Sequence, residues 1–219
     1  VILYVNGDSH CVGHGINVEF GMTQEDPCFE YIKQAPHPKN FQDSFGYQIA
    51  QQLNLSLVCQ ASSGSSLERC LRTTQNFIFQ TNNKVFVLLG IPALNREEWY
   101  YQNKWWQITK GDANRYPIEL HTRFKNWLIS VDSDEYKKLR TQIISTKITT
   151  FTKWLSKHNI PHILFSTVED IPDLTTPVYS RYLETQGFKA DKWHHFKSDA
   201  HSKWAEYLEP KIYDIICKR

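Results

Sequence analysis

No stretch of this sequence approaches the roughly 20 consecutive apolar residues needed by a helix that crosses a bilayer, and the opening apolar run Val1-Ile2-Leu3-Tyr4-Val5 is too short, and lacks the basic flank, to read as a signal peptide. Excess charge of one sign is missing as well. With 25 basic and 23 acidic side chains the net charge is +2, which gives no electrostatic reason to invoke nucleic acid or a membrane surface as partner. The five cysteines, Cys11, Cys28, Cys59, Cys70 and Cys217, are odd in number and form no C-x-x-C pair, which argues against a disulfide framework or a zinc knuckle. Neither Gly-x-Gly-x-x-Gly nor a P-loop occurs, which weakens a nucleotide-binding reading. His10, His14, His194 and His195 lack metal-site spacing, since the last two are neighbours that would point apart on a strand. No repeat, low-complexity tract or linker is present. The expectation is a soluble, cytoplasmic chain without metal or cofactor, acting on a small or neutral molecule.

A chain of 219 residues is long enough for one sizeable core, and residues 1–219 read as a single domain. Four apolar runs bounded by loop residues predict buried parallel strands: Ile2 to Asn6, Leu55 to Cys59, Lys84 to Gly90 and His162 to Ser166. Helical patterns separate them. One, capped by Asp43, carries Phe45, Ile49, Ala50 and Leu53; a second follows Ser65 or Ser66; a third, with Tyr136, Leu139, Ile143, Ile144, Ile148, Phe151, Trp154 and Leu155 at spacings of three and four, runs from about Asp134 to Lys157. A last helix follows His201, bent by Pro210. Strands alternating with helices specify an α/β layer fold with a mainly parallel sheet and helices on both faces. Two irregular insertions, near 15–40 and 91–117, exceed ordinary loop length and are candidate lids or partner surfaces.

In such a sheet, ligands bind beyond the carboxyl ends of the strands. Gly7-Asp8-Ser9-His10 sits there after the first strand, Ala61-Ser62-Ser63-Gly64-Ser65-Ser66 after the second, and the segment following Gly90 after the third. Ser9 is the candidate nucleophile. A serine attacks a carbonyl only when a neighbouring base takes its proton and a third group orients that base. His201 and Asp199 can fill those roles if a tight turn before the last helix lets the carboxylate reach one ring nitrogen while the other faces Ser9. Cys11 is a rival nucleophile for the same base. The developing oxyanion needs preorganised donors: the amides of Ser9 and Gly64, and the side chain of Asn95. His10 and Arg96 flank the site as candidate substrate contacts. Trp99, Trp105 and Trp106 could stack on sugar rings, whereas Trp154 and Trp204 lie on apolar helical faces and read as core.

These blocks, taken in order, resemble the SGNH (GDSL-like) hydrolase superfamily: Gly7-Asp8-Ser9 the first, Gly64 in its Ser-rich loop the second, Asp199-Ala200-His201 the last. The resemblance implies a flavodoxin-like three-layer α/β/α fold and cofactor-free hydrolysis of esters or acetylated sugars, with Ser9 as nucleophile, His201 as base, Asp199 as its orienting carboxylate and Gly64 as oxyanion donor. Two blocks depart. The third reads Gly90-Ile91-Pro92-Ala93-Leu94-Asn95-Arg96, with Pro92, which has no N–H, where relatives place Asn, so Asn95 reaches in, Arg96 substitutes, or two amides suffice. The last has one residue between Asp and His where many relatives have two. A second resemblance, to SGNH-like proteins of bacteriophages, raises an alternative: a binding or structural module, for example a virion-associated assembly component, with a homo-oligomer or virion partner and a weakened site.

Overall fold

In the computed structural model, the described residues are 1–16, 38–111, 113–172, 174–191 and 194–217; most of the 15–40 insertion and Cys28 lie outside them. The core element is a four-stranded parallel sheet of β1 (Ile2–Asn6), β2 (Ser56–Cys59), β3 (Val85–Ile91) and β6 (His162–Ser166), in the order β2-β1-β3-β6. Each strand falls within one residue of its predicted position. Ile2 pairs with Ser56 on one side and Val85 on the other, and Val87 pairs with His162.

Alternation along the strands builds two cores, because successive side chains of a strand face opposite ways. Leu3, Val5, Phe86, Leu88 and Phe165 face α3 (Phe45–Gln52), α7 (Tyr179–Thr185) and α8 (Ser198–Cys217), which contribute Ile49, Tyr179, Trp204 and Leu208. Tyr4, Val87, Leu89 and Ile91 face α4 (Leu67–Gln80) and α6 (Asp134–Lys157), which contribute Leu67, Cys70, Ile144, Ile148, Phe151 and Leu155. This is a three-layer α/β/α arrangement. The helix starts are capped as serines cap them: Ser44, rather than the predicted Asp43, accepts from the Tyr47 amide, Ser66 from Arg69 and Ser133 from Tyr136. Short helices α1 (Ser9–Val12) and α2 (Pro38–Gln42) complete the first half.

The 91–117 stretch, expected to be irregular, contains an antiparallel hairpin, β4 (Glu97–Tyr101) and β5 (Lys104–Ile108). Gln102 and Asn103 turn it with φ of 48° and 58°, both positive as a tight two-residue hairpin requires. Aromatic pairs facing each other across the strands, Trp99 with Trp106 and Tyr100 with Trp105, stabilise it. Its inner face builds a third core with α5 (His121–Ser130): Trp99, Ile108, Tyr116, Phe124 and Trp127. The hairpin docks on α4 through the Arg72–Glu98 ion pair at 2.6 Å and through Gln107, whose Oε1 accepts the Ser66 amide at 3.0 Å.

Candidate active site

The reversal of strand order between the parallel neighbours β1 and β3 opens a crevice at the strands' carboxyl ends, and Asn6 starts the turn that fills it. Its side-chain amide donates to Cys70 O, Thr73 Oγ1 and Thr74 Oγ1, while its Oδ1 accepts the Gly7 amide at 2.8 Å. Gly7 has φ 145°, and a Cβ there would meet Cys11 Sγ at 2.4 Å and Gly90 O at 2.9 Å. Only glycine fits. Asp8, fully buried, caps α1 by accepting the His10 amide, and its other oxygen accepts Arg96 Nη1 at 2.9 Å and Thr167 Oγ1 at 3.3 Å.

Ser9 therefore opens α1 with its orientation fixed by its neighbours. It is 6% exposed, and its hydroxyl has no protein hydrogen-bond partner among the described residues. Its amide is at a helix start, where backbone N–H groups lack intrahelical acceptors. The loop after β2 is tied to the same turn, since the Ser62 amide donates to Gly7 O at 3.1 Å and Ser63 Oγ lies 2.9 Å from His14 Nδ1. Gly64 takes φ 75° in this loop and lines a cleft with Asn95, Arg96, Thr109 and Lys110. The loop carrying Asn95 and Arg96 is held from behind by Arg140 of α6, a buried guanidinium that donates to Leu94 O at 3.2 Å and Arg96 O at 2.9 Å. The predicted Ser9, Gly64, Asn95 and Arg96 thus converge on one end of the sheet.

The predicted base and its carboxylate do not pair there. The turn expected before the last helix is already helix: α8 begins at Ser198, and positions two apart on a helix point roughly 200° from each other. Asp199 is exposed and accepts the Ala200 amide; His201 is 1% exposed, stacked on Phe45 with centroids 5.7 Å apart. Its Nδ1 accepts the Phe45 amide at 3.4 Å, so the neutral ring carries its proton on Nε2, which faces Tyr179 Oη at 3.3 Å. With both nitrogens engaged, His201 makes no hydrogen bond to Ser9. Burial, reinforced by His10 and His195, pushes its pKa down to about 3, the value of a structural imidazole rather than a base for neutral pH.

Three further expectations shift. Trp99 is 4% exposed in the third core, its Nε1 bonded to Glu97 and its face covered by Arg123 at 3.9 Å, so it is no substrate platform; Trp105 and Tyr100 are the exposed rings of the hairpin. His10 is buried under the site rather than on its rim, against Tyr179 and His195. Cys11 is buried between Gly7 and Gly90, and desolvation raises its thiol pKa well above the usual range, which leaves it without thiolate character.

The loop before α8, by contrast, brings an aspartate and two histidines up to α1. Asp191 Oδ1 accepts the His195 amide at 2.9 Å, and backbone bonds from His194 N to Asp191 O and from Asp191 N to His195 O close the loop on itself. The His195 ring packs on His10 and His14 at centroid distances of 5.4 and 4.9 Å. Desolvation by burial and the two neighbouring imidazoles push its pKa to about 3. Desolvation likewise lowers His10, and His194 contributes to that shift, so His194 lies within electrostatic reach of the residue next to Ser9. His194 is exposed, and its ring has no hydrogen-bond partner among the described residues. Sequence reading missed this loop although Asp191-Lys192-Trp193-His194 carries the two-residue separation usual in the resembled family. Among the described residues no cluster of His, Cys, Asp or Glu is arranged to hold a metal ion, and no helix is long and apolar enough to cross a membrane.

No family model and no curated protein matches this sequence. Solved structures do. A carbohydrate esterase whose active site is described as having divergent catalytic and non-catalytic binding functions superposes with a TM-score of 0.51 at 15% identity, over 96% of this chain and 67% of that one. A psychrotrophic esterase, EstA, from Pseudoalteromonas sp., in a structure inhibited by monoethylphosphonate, gives 0.49 at 12% identity over 99% and 97%. At 15% identity the likeness to the carbohydrate esterase concerns the fold alone, and it agrees with the three layers described above.

Proposed function

We propose that this protein is a serine esterase of SGNH type that removes a short acyl group, acetyl above all, from a carbohydrate through an acyl-enzyme on Ser9. The observation that carries this reading is the position of Ser9: at the start of a helix beyond the central strand, its hydroxyl without a hydrogen-bond partner among the described residues, flanked by Asp8, which holds Arg96 of the donor-lined cleft, and by His10, which packs on the histidine-bearing loop. The base is His194, oriented by Asp191 three residues earlier; its ring nitrogens have no hydrogen-bond partner among the described residues, whereas both of those of His201 are engaged. As Ser9 Oγ bonds to the ester carbonyl carbon, its proton passes to His194, and the oxyanion is met by the Ser9 and Gly64 amides and by Asn95 in place of the donor that Pro92 removes. Collapse breaks the bond to the leaving alcohol, which takes the proton from His194. Water then attacks the acyl-enzyme by the same route and frees Ser9.

The likeness in fold to proteins named esterases is consistent with this chemistry. Hydrolysis of 4-nitrophenyl acetate, together with fluorophosphonate labelling that disappears in Ser9→Ala, tests it; folded wild-type protein that neither turns over nor labels refutes it. Such a result would favour the second reading, a binding module with a weakened site, to which Pro92 points because it subtracts a donor from the third block.

A further inference from the structure

Taking the ester reading as the premise for where the reacting carbonyl sits, we infer that the cleft whose Arg96 is bonded to Asp8, the residue before Ser9, selects the substrate by a negatively charged group, so that the ester is carried on an acidic carbohydrate. The cleft formed by Gly64, Asn95, Arg96, Thr109 and Lys110 encloses about 340 Å³, at the small end of the range for ligand pockets. Its side chains present an amide, a guanidinium, a hydroxyl and an ammonium, and none is a carboxylate.

The two cations are held in different ways. Arg96 is anchored by one nitrogen, Nη1, to the fully buried Asp8, while its Nη2 and Nε have no protein acceptor among the described residues; its side chain is 21% exposed. A guanidinium fixed at one corner with its remaining donors uncommitted suits a carboxylate or phosphate oxygen pair. Lys110, across the cleft, is ion-paired to Asp132, a carboxylate that is itself largely solvent-exposed and outside the cleft lining. The Asn95 amide and the Thr109 hydroxyl between them also have no hydrogen-bond partner among the described residues. Uronate carboxylates and sugar phosphates share the chemistry that this donor set recognises: a compact anion on a pyranose.

Calorimetric titration of the whole protein with D-glucuronate, D-glucose 6-phosphate and D-glucose tests this without requiring turnover. The expected result is binding of at least one anionic sugar about tenfold or more tighter than glucose, weakening as salt rises, and reduced severalfold in Lys110→Gln, whose exposed site leaves the fold intact. Arg96→Gln should lose the preference, with Arg96→Lys restoring part of it; thermal melts of both show whether the Asp8 anchor has been lost along with the fold. Which of the two anions binds tighter assigns the group as carboxylate or phosphate. Equal affinity for all three sugars, or an anion preference unchanged in both Lys110→Gln and a folded Arg96→Gln, overturns the inference. In the former case hydrolysis of 4-nitrophenyl acetate would still uphold the esterase; anion binding by a protein that hydrolyses and labels with nothing would leave the subsite and refute the chemistry.

Discussion

Two aspartate–histidine pairs lie close together near the end of this chain, Asp191 with His194 and Asp199 with His201, and they have opposite fates. The first sits on a loop tied by backbone bonds between Asp191 and His195, with the aspartate accepting a backbone amide and the histidine exposed, its ring without a hydrogen-bond partner among the described residues. The second sits on the first turns of α8, where the helix sends the carboxylate to solvent and the imidazole into the core against Phe45 and Tyr179. The side chains are the same, and the backbone beneath them decides which ring is exposed and which is buried. A functional pair close in sequence needs a turn or the right helical separation, and two apart on a helix is the wrong one.

The sharpest way to break this comparison is to remove each partner. With Ser9→Ala as the baseline, expected to lose about 10⁴-fold or more in kcat/KM, His194→Ala should fall comparably and Asp191→Asn by about 10²- to 10⁴-fold, measured on 4-nitrophenyl acetate. Equal activity of wild type and His194→Ala would return the role of base to another ring. His201→Ala should act on stability instead, lowering it by about 2–4 kcal/mol through lost packing and two lost hydrogen bonds, as read from denaturant midpoints, while activity per folded molecule stays within a fewfold.

Acid sharpens the contrast further. His195 and His201 bind protons only near pH 3 in the native chain, whereas unfolded imidazoles do so near 6.5. Below pH 6.5 the unfolded state therefore holds more protons, and the stability present above that pH is lost progressively as pH falls toward 3, at about 1.4 kcal/mol per unit for each ring. Urea titrations at pH 7 and pH 5 should differ accordingly, and His201→Phe should flatten the slope. The smallest effect belongs to Asp199→Ala, expected to leave activity unchanged and stability altered by no more than about 1 kcal/mol, the scale of an exposed helix-start carboxylate.

Much of this was legible in the residues. The strands were readable because their apolar runs are short and bounded, and α6 because its period is unbroken over six turns of sequence. The end of the sheet that carries the site was readable too, since Gly7, Gly64 and Asn95 each follow a strand. The hairpin was hidden by its composition: Gln102-Asn103 is not the glycine-bearing turn usually sought, and adjacent Trp and Tyr residues mask alternation. Asp199-Ala200-His201 misled because its spacing fits a turn while its surroundings, Trp204, Ala205 and Leu208, impose a helix that starts before it. Arg140 and Thr167, which hold the site from a distant helix and a neighbouring strand end, leave no local signal, because their partners are backbone carbonyls and a carboxylate brought near only by folding.

The sulfur of Cys11 occupies the volume that side chains at both position 7 and position 90 would need. These three positions consequently form a lock in which none can be enlarged by itself: any descendant that fills position 11 with a bulkier residue must move the first strand's exit, the third strand's end, or both. Drift in this part of the molecule therefore runs one way: a chain of similar fold carrying a side chain at position 90 should carry a smaller residue at position 11.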